Sequence, residues 1–219
     1  DIVEVPLDGS APREIIATAR CEVSPAWAPD GVRFAYVTDR NGPYEIWMRK
    51  PGQPDRPLVT PRDFPAGTTR GLMGPALSPD ATRLIYRRVV LGAMGNGGLW
   101  MSAVAGGPPV PLLKSAGVDT PGSWSPDGHW FVYPHLQDGR RSLNKVKTTG
   151  GAEPEVLKAD ANGSWVPLWS PANDWILYTD SGVKLISPDG QATRDLSTRG
   201  AVAYAFSADG QTIYGLRQP

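Results

Sequence analysis

A phrase of thirteen residues, Pro121-Gly122-Ser123-Trp124-Ser125-Pro126-Asp127-Gly128-His129-Trp130-Phe131-Val132-Tyr133, recurs along the chain and leaves it few folds to adopt. It reads as a short apolar strand ending in an aromatic residue, a Ser-Pro-Asp-Gly turn, and a second strand closing on tyrosine. The same order appears at Trp27-Ala28-Pro29-Asp30-Gly31 before Tyr36 and at Leu77-Ser78-Pro79-Asp80-Ala81 before Tyr86. It appears again at Trp169-Ser170-Pro171-Ala172-Asn173 before Tyr178, and more loosely at Phe206-Ser207-Ala208-Asp209-Gly210 before Tyr214. Successive turn prolines lie 50, 47 and 45 residues apart, and Ala208 takes that place 37 later. Periods of about 40–50 residues with four strands each are the signature of propeller blades.

Each unit supplies the other two strands. The third runs through Tyr44–Met48, Gly98–Ser102, Ser142–Val146 and Val183–Ile186. The fourth runs through Arg56–Val59, Val110–Leu113, Pro154–Leu157 and Thr193–Leu196. Glycine turns at Gly52, Gly106-Gly107, Gly150-Gly151 and Gly190 join third to fourth, because glycine takes the positive φ of a tight reversal. The fold class expected is therefore all-β, a β-propeller of four-stranded antiparallel blades in a single domain over residues 1–219. Blade pieces fall at about 23–60, 73–114, 120–158 and 165–197. Residues 1–17 read as a third and fourth strand and residues 201–217 as a first and second. Joined, these two halves make a fifth blade, and closing the ring removes exposed sheet edges. The alternative is a fragment of a propeller of six or more blades.

In the turn, proline presets φ, aspartate bonds back to the local backbone, and glycine takes the left-handed exit. Asn173 tolerates that exit; Ala81 does not do so readily, so its turn is expected to be of another type. The repeated aromatics Trp27, Trp124, Trp169 and Phe206, and the tyrosines Tyr36, Tyr86, Tyr133 and Tyr178, are expected to fill the gap of about 10 Å between stacked sheets.

These repeats, with Trp124-Ser125-Pro126-Asp127-Gly128 and Trp27-Ala28-Pro29-Asp30-Gly31 followed by Ile46-Trp47 or Leu99-Trp100, resemble the WD-like β-propeller repeats of the bacterial TolB family. The resemblance covers nearly the whole chain. It implies a non-catalytic binding role, outside the cytoplasm and typically periplasmic. The family also includes sensor-like propellers and the substrate-gating propellers of prolyl oligopeptidase-like enzymes.

The residues themselves point to little chemistry. Lys and Arg number 22 against 22 Asp and Glu, so no net field draws in nucleic acid. No apolar run is long enough to insert into a membrane. The single cysteine, Cys21, excludes an internal disulfide framework. His129 and His135, the two histidines, sit at opposite ends of one strand about 20 Å apart and cannot share a metal or an acid–base task. No Gly-x-Ser-x-Gly elbow and no phosphate-cradling glycine loop is present. Neither catalytic residue, metal nor cofactor is expected.

What remains is recognition by the loops from fourth to first and from second to third strand, which share one end of each blade and read as longer than the turns at the other end. They carry Arg20, Arg40, Arg70, Arg140 and Arg199, with His135 and Trp165. Arginine's planar fork suits carboxylates and peptide carbonyls, and arginine and tryptophan are favoured interface anchors. The reading is a module binding a protein or peptide, its oligomeric state open. The alternatives are a propeller gating a separate hydrolase or peptidase domain, or a carbohydrate-active enzyme.

Overall fold

The computed structural model describes residues 1–6, 8–90, 97–114, 117, 122–161, 166–180, 182–196 and 201–217, with the side chains of 201–204, 216 and 217 excepted. The chain divides into two compact units, Asp1–Val110 and Pro111–Pro219. Each is built of antiparallel sheets whose strand order follows the chain.

The first unit opens with a hairpin of β1 (Ile2–Glu4) and β2 (Arg13–Ile16). A four-stranded sheet follows: β3 (Glu22–Trp27), β4 (Phe34–Thr38), β5 (Glu45–Arg49) and β6 (Arg56–Val59). The next sheet holds β7 (Thr69–Leu77), β8 (Arg83–Val90), β9 (Leu99–Ala103) and β10 (Val110–Leu113), the last crossing the unit boundary. In the second unit one sheet holds β11 (Ser123–Trp124), β12 (Trp130–Gln137), β13 (Arg140–Lys147) and β14 (Glu155–Lys158). The other holds β15 (Leu168–Trp169), β16 (Ile176–Thr179), β17 (Val183–Ile186) and β18 (Thr193–Asp195). A hairpin of β19 (Ala201–Phe206) and β20 (Ile213–Arg217) closes the chain.

Among the described residues the architecture is thus four four-stranded sheets and two sheets of two strands, one toward each end. Each end hairpin is a sheet of two strands among those residues, and these are the halves from which the five-blade reading assembles its last blade. Pairing between distant chain ends is a long-range property that repeat spacing does not carry.

Within each unit the sheets stack through their apolar faces. Ala35, Val37, Ile46 and Met48 meet Leu72, Leu84 and Tyr86 in one core cluster. In the second unit Val132 and Leu143 meet Trp169, Ile176, Tyr178 and Ile186. Tyr36, Tyr86, Tyr133 and Tyr178 are all buried. Three of their hydroxyls are satisfied locally: Tyr36 donates to Asp55 Oδ2 at 2.7 Å, Tyr86 shares a bond with Ser102 Oγ at 2.9 Å, and Tyr133 bonds Asn144. Burial leads in pushing the Tyr133 phenol up to about 12. Trp124 and Trp169 are buried and Phe206 packs under Leu177 and Leu185.

Trp27 departs from this pattern. It stacks on Phe34 at 4.5 Å between ring centroids but stays 48 % exposed. Trp169 shows why: its cover is Val132 and Leu143, from the second and third strands of the preceding sheet, and its backbone N–H donates to Ser123 Oγ on the first. Inside the first unit the sheet before Trp27 has two strands, read as a third and a fourth, so counterparts of Val132 and Ser123 are not part of it.

The turns between first and second strands share one geometry. Gly31, Gly128 and Gly210 have φ of 65°, 71° and 72°. Asn173 follows at 62°, and so does Ala81 at 55°, closing its turn with a 2.8 Å bond from its N–H to Ser78 O. The expectation of a different turn at Ala81 is corrected. The left-handed penalty of about 1–2 kcal/mol for an L-residue is met rather than avoided. The Ser78 hydroxyl donating to Asp80, and Asp80 Oδ1 accepting from Thr82 N–H, hold the turn in shape. Where the aspartate position is Ala172, Asp174 takes over and accepts from Ser170 Oγ.

Candidate functional site

Alternation along antiparallel strands places the start of the first strand, the end of the second and the start of the third at one end of each sheet. In the first unit this end holds Arg20, Arg40 and Arg70. Arg20 and Arg70 are exposed, whereas Arg40 is half-buried and engaged. Arg40 Nη2 donates to Tyr36 Oη at 2.6 Å, lies 3.8 Å from Asp55 Oδ2, and its guanidinium sits 4.2 Å from the centre of the Trp47 ring. Arg49 reaches the same Asp55 at 3.4 Å. Arg40 thus belongs to a clamp on the sheet face rather than to a free loop. The register Tyr36↔Trp47 puts the two rings side by side, and the guanidinium completes the stack.

The adjacent loops are tied to each other. Tyr44 pairs with Gly71 in an isolated parallel bridge, and Leu72 N–H donates to Tyr44 O at 3.0 Å. A Cβ on Gly71 would stand 3.0 Å from Tyr44 Cβ, so glycine permits the approach. Arg70 is thereby carried next to Tyr44, an exposed aromatic residue whose phenol is raised chiefly by its hydrogen bond with the Cys21 thiol. Below them Glu22, Thr38 and Glu45 form one rung across β3, β4 and β5. All three are buried. Glu45 Oε2 accepts from Trp47 Nε1 at 2.8 Å and Asn41 Nδ2 at 2.9 Å. Glu22 Oε1 accepts from Thr18 Oγ1.

The corresponding end of the second unit holds His135 and Arg140. The connection between β12 and β13 is a tight hairpin with Asp138 and Gly139 at φ of 51° and 77°, which is type I′ chemistry and not a long loop. Arg140 is exposed beside it. His135 lies half-buried against Tyr133, ring centroids 6.4 Å apart and edge-on. His129 is at the other end of β12. Trp165 and Arg199 lie outside the described residues. Among the described residues no group of three or more His, Cys, Asp or Glu is placed to hold a metal.

His135 also lines a cavity of about 570 Å3 formed by the end of β10, by β12 and β13, and by the turn leading into β14. Tyr133, Asn144, Ser142 and Gln137 face it, with Leu112 and Val156 as apolar wall and Lys114 and Glu153 as exposed rim. Sequence reasoning named His135 but not Asn144 or Ser142. The strand register pairs Tyr133 with Asn144 and His135 with Ser142, and a hairpin read from Asp138-Gly139 outward gives both pairs.

A family model described as TolB beta propeller domain matches residues 2–201. The chain is 28 % identical over 127 residues to the uncharacterized peptidase YuxL of Bacillus subtilis (strain 168), which covers 57 % of this chain and 19 % of that protein. It is 27 % identical over 125 residues to the Tol-Pal system protein TolB of Anaeromyxobacter dehalogenans (strain 2CP-C), covering 57 % of this chain and 26 % of that protein. These matches span about a quarter or less of the curated relatives. Among solved structures, a putative TolB from Agrobacterium tumefaciens superposes with a TM-score of 0.73 at 19 % identity, over 89 % of this chain and 68 % of that one. An oligogalacturonate lyase in complex with manganese superposes at 0.67 and 16 % identity, over 86 % and 56 %. Identities this low speak for the fold alone.

Proposed function

Because the chain belongs to the TolB β-propeller family, we propose that it is a non-catalytic module that binds a protein or peptide through the loop ends of its sheets. The observation that carries this reading is the Tyr44–Gly71 bridge, which brings the backbone next to exposed Arg70 against the loop bearing exposed Tyr44. An exposed arginine beside an exposed aromatic ring is the composition of an interface anchor. Arg20 adds a second cationic fork in the same unit, able to donate to carboxylates and backbone carbonyls, and Arg140 offers one in the other unit. The Tol-Pal protein among its relatives supports a periplasmic setting.

The test is affinity capture from periplasmic extract of the source organism with the wild-type chain and an Arg20→Glu/Arg70→Glu variant. Both side chains are exposed, so the melting temperature should hold while captured partner falls at least about tenfold. Loss of both together would make these arginines structural.

A second reading is favoured by the peptidase relative. In it the module gates access to a hydrolase domain elsewhere in a longer protein. A serine-hydrolase domain in the same polypeptide, with turnover that rises on large substrates when the module is deleted, would select it.

A further inference from the structure

The cavity of the second unit has a neutral floor. Among the described residues that line it, the charged side chains Lys114 and Glu153 are exposed at the rim and opposite in sign. The polar groups facing it are two amides, an imidazole, a hydroxyl and a phenol. Asn144 is 5 % exposed and bonds the Tyr133 hydroxyl, yet its Oδ1 is buried with no partner among the described residues. His135 stands one same-face position along, and its Nδ1 is likewise buried with no partner among the described residues. It lies against Gly117, where a Cβ would come within 3.1 Å of that nitrogen. Leaving such groups unmet disfavours folding, so two of them on residues that line one cavity mark where an outside partner completes the bonding.

The chemistry narrows the occupant. A charged ligand would be stripped of water onto a floor with no counter-charge, which is strongly unfavourable. A neutral donor of N–H or O–H groups meets no such cost. The volume is in the range of ordinary ligand pockets, about 300–1,000 Å3. Asn144 and His135 are diagonal neighbours on β13 and β12, a spacing of about 7–8 Å. That is close to the roughly 6.6–6.8 Å at which an extended chain presents successive N–H groups along one side. Leu112 and Val156 offer apolar contact to the intervening side chain.

We propose that this cavity binds an extended, uncharged peptide segment, whose N–H groups donate to Asn144 Oδ1 and pair with His135. This deepens the interaction-module reading and rests on it for the source of the peptide. The Arg20→Glu/Arg70→Glu variant separates the two: it abolishes partner capture under that reading and leaves cavity binding intact.

The experiment titrates the whole chain by calorimetry and by imidazole NMR with acetyl-Ala-Gln-Ala-amide. Acetyl-Ala-Glu-Ala-amide, maltose and acetamide serve as comparators. The neutral peptide should bind and shift the His135 resonances, and Asn144→Leu should weaken it roughly tenfold or more. Asn144 is buried, so His135→Phe provides the second arm. It should keep the wild-type circular dichroism spectrum and melting temperature and still lose binding. Equal or tighter binding of the glutamate peptide would overturn the neutral floor. Preference for maltose would make the site a sugar site, and acetamide binding as tightly as the peptide would remove the extended chain. Binding unchanged by both variants, or no binding up to about 1 mM, would overturn the proposal.

Discussion

Asp80 shows how much one carboxylate does in this protein. It accepts from the Ser78 hydroxyl, first among the causes, and from Thr82 N–H, and its carboxyl is held down at about 2 against an ordinary 3.8. Asp30 is held at about 2 as well, with the Arg33 and Val32 N–H groups first among its causes. A carboxyl depressed on folding stabilises above its unfolded value and loses that contribution as pH falls through its folded value. Stability should therefore decline from about pH 3.8 toward pH 2, measured as urea midpoint against pH. Asp80→Asn should lower the midpoint at neutral pH, flatten part of that slope, and converge on wild type at the acid end. An unchanged slope would remove the turn aspartate from the balance. The aspartates were legible because Ser-Pro-Asp-Gly names its own hydrogen bonds. Ala81 was misread because steric preference alone does not count the bonds that hold a residue where it would not go by itself.

Strand register explains most of what was not legible between elements. The tyrosine positions follow from the repeat, but the Arg40 clamp depends on Tyr36 facing Trp47, and the cavity depends on Tyr133 facing Asn144. A one-residue slip would separate each pair, and spacing within a repeat does not fix such details. The link between loops is of the same kind. Gly71 is a glycine among ordinary strand residues, and only the approach of Tyr44 explains it. Gly71→Val should destabilise the first unit by about 1–3 kcal/mol through overpacking. It should also raise hydrogen exchange at the Leu72 amide, which donates to Tyr44 O. If that amide stays protected, the contact has more room than its geometry implies.

For the molecule as a whole, repeat spacing yielded the all-β blade architecture, and the recurring phrases carried the resemblance to the family. Which distant strand an end hairpin meets is a different kind of information, because no local phrase encodes long-range pairing. Balanced charge likewise excluded a global field without naming a partner.

Trp27, half in water while Trp124 and Trp169 are buried, gives the protein a built-in optical probe. Iodide should quench a red-shifted fraction of the emission, and Trp27→Phe should reduce that fraction. Anything that settles over this ring, whether another stretch of polypeptide or a second protein, should then announce itself as a blue shift and a loss of quenching without any label being attached.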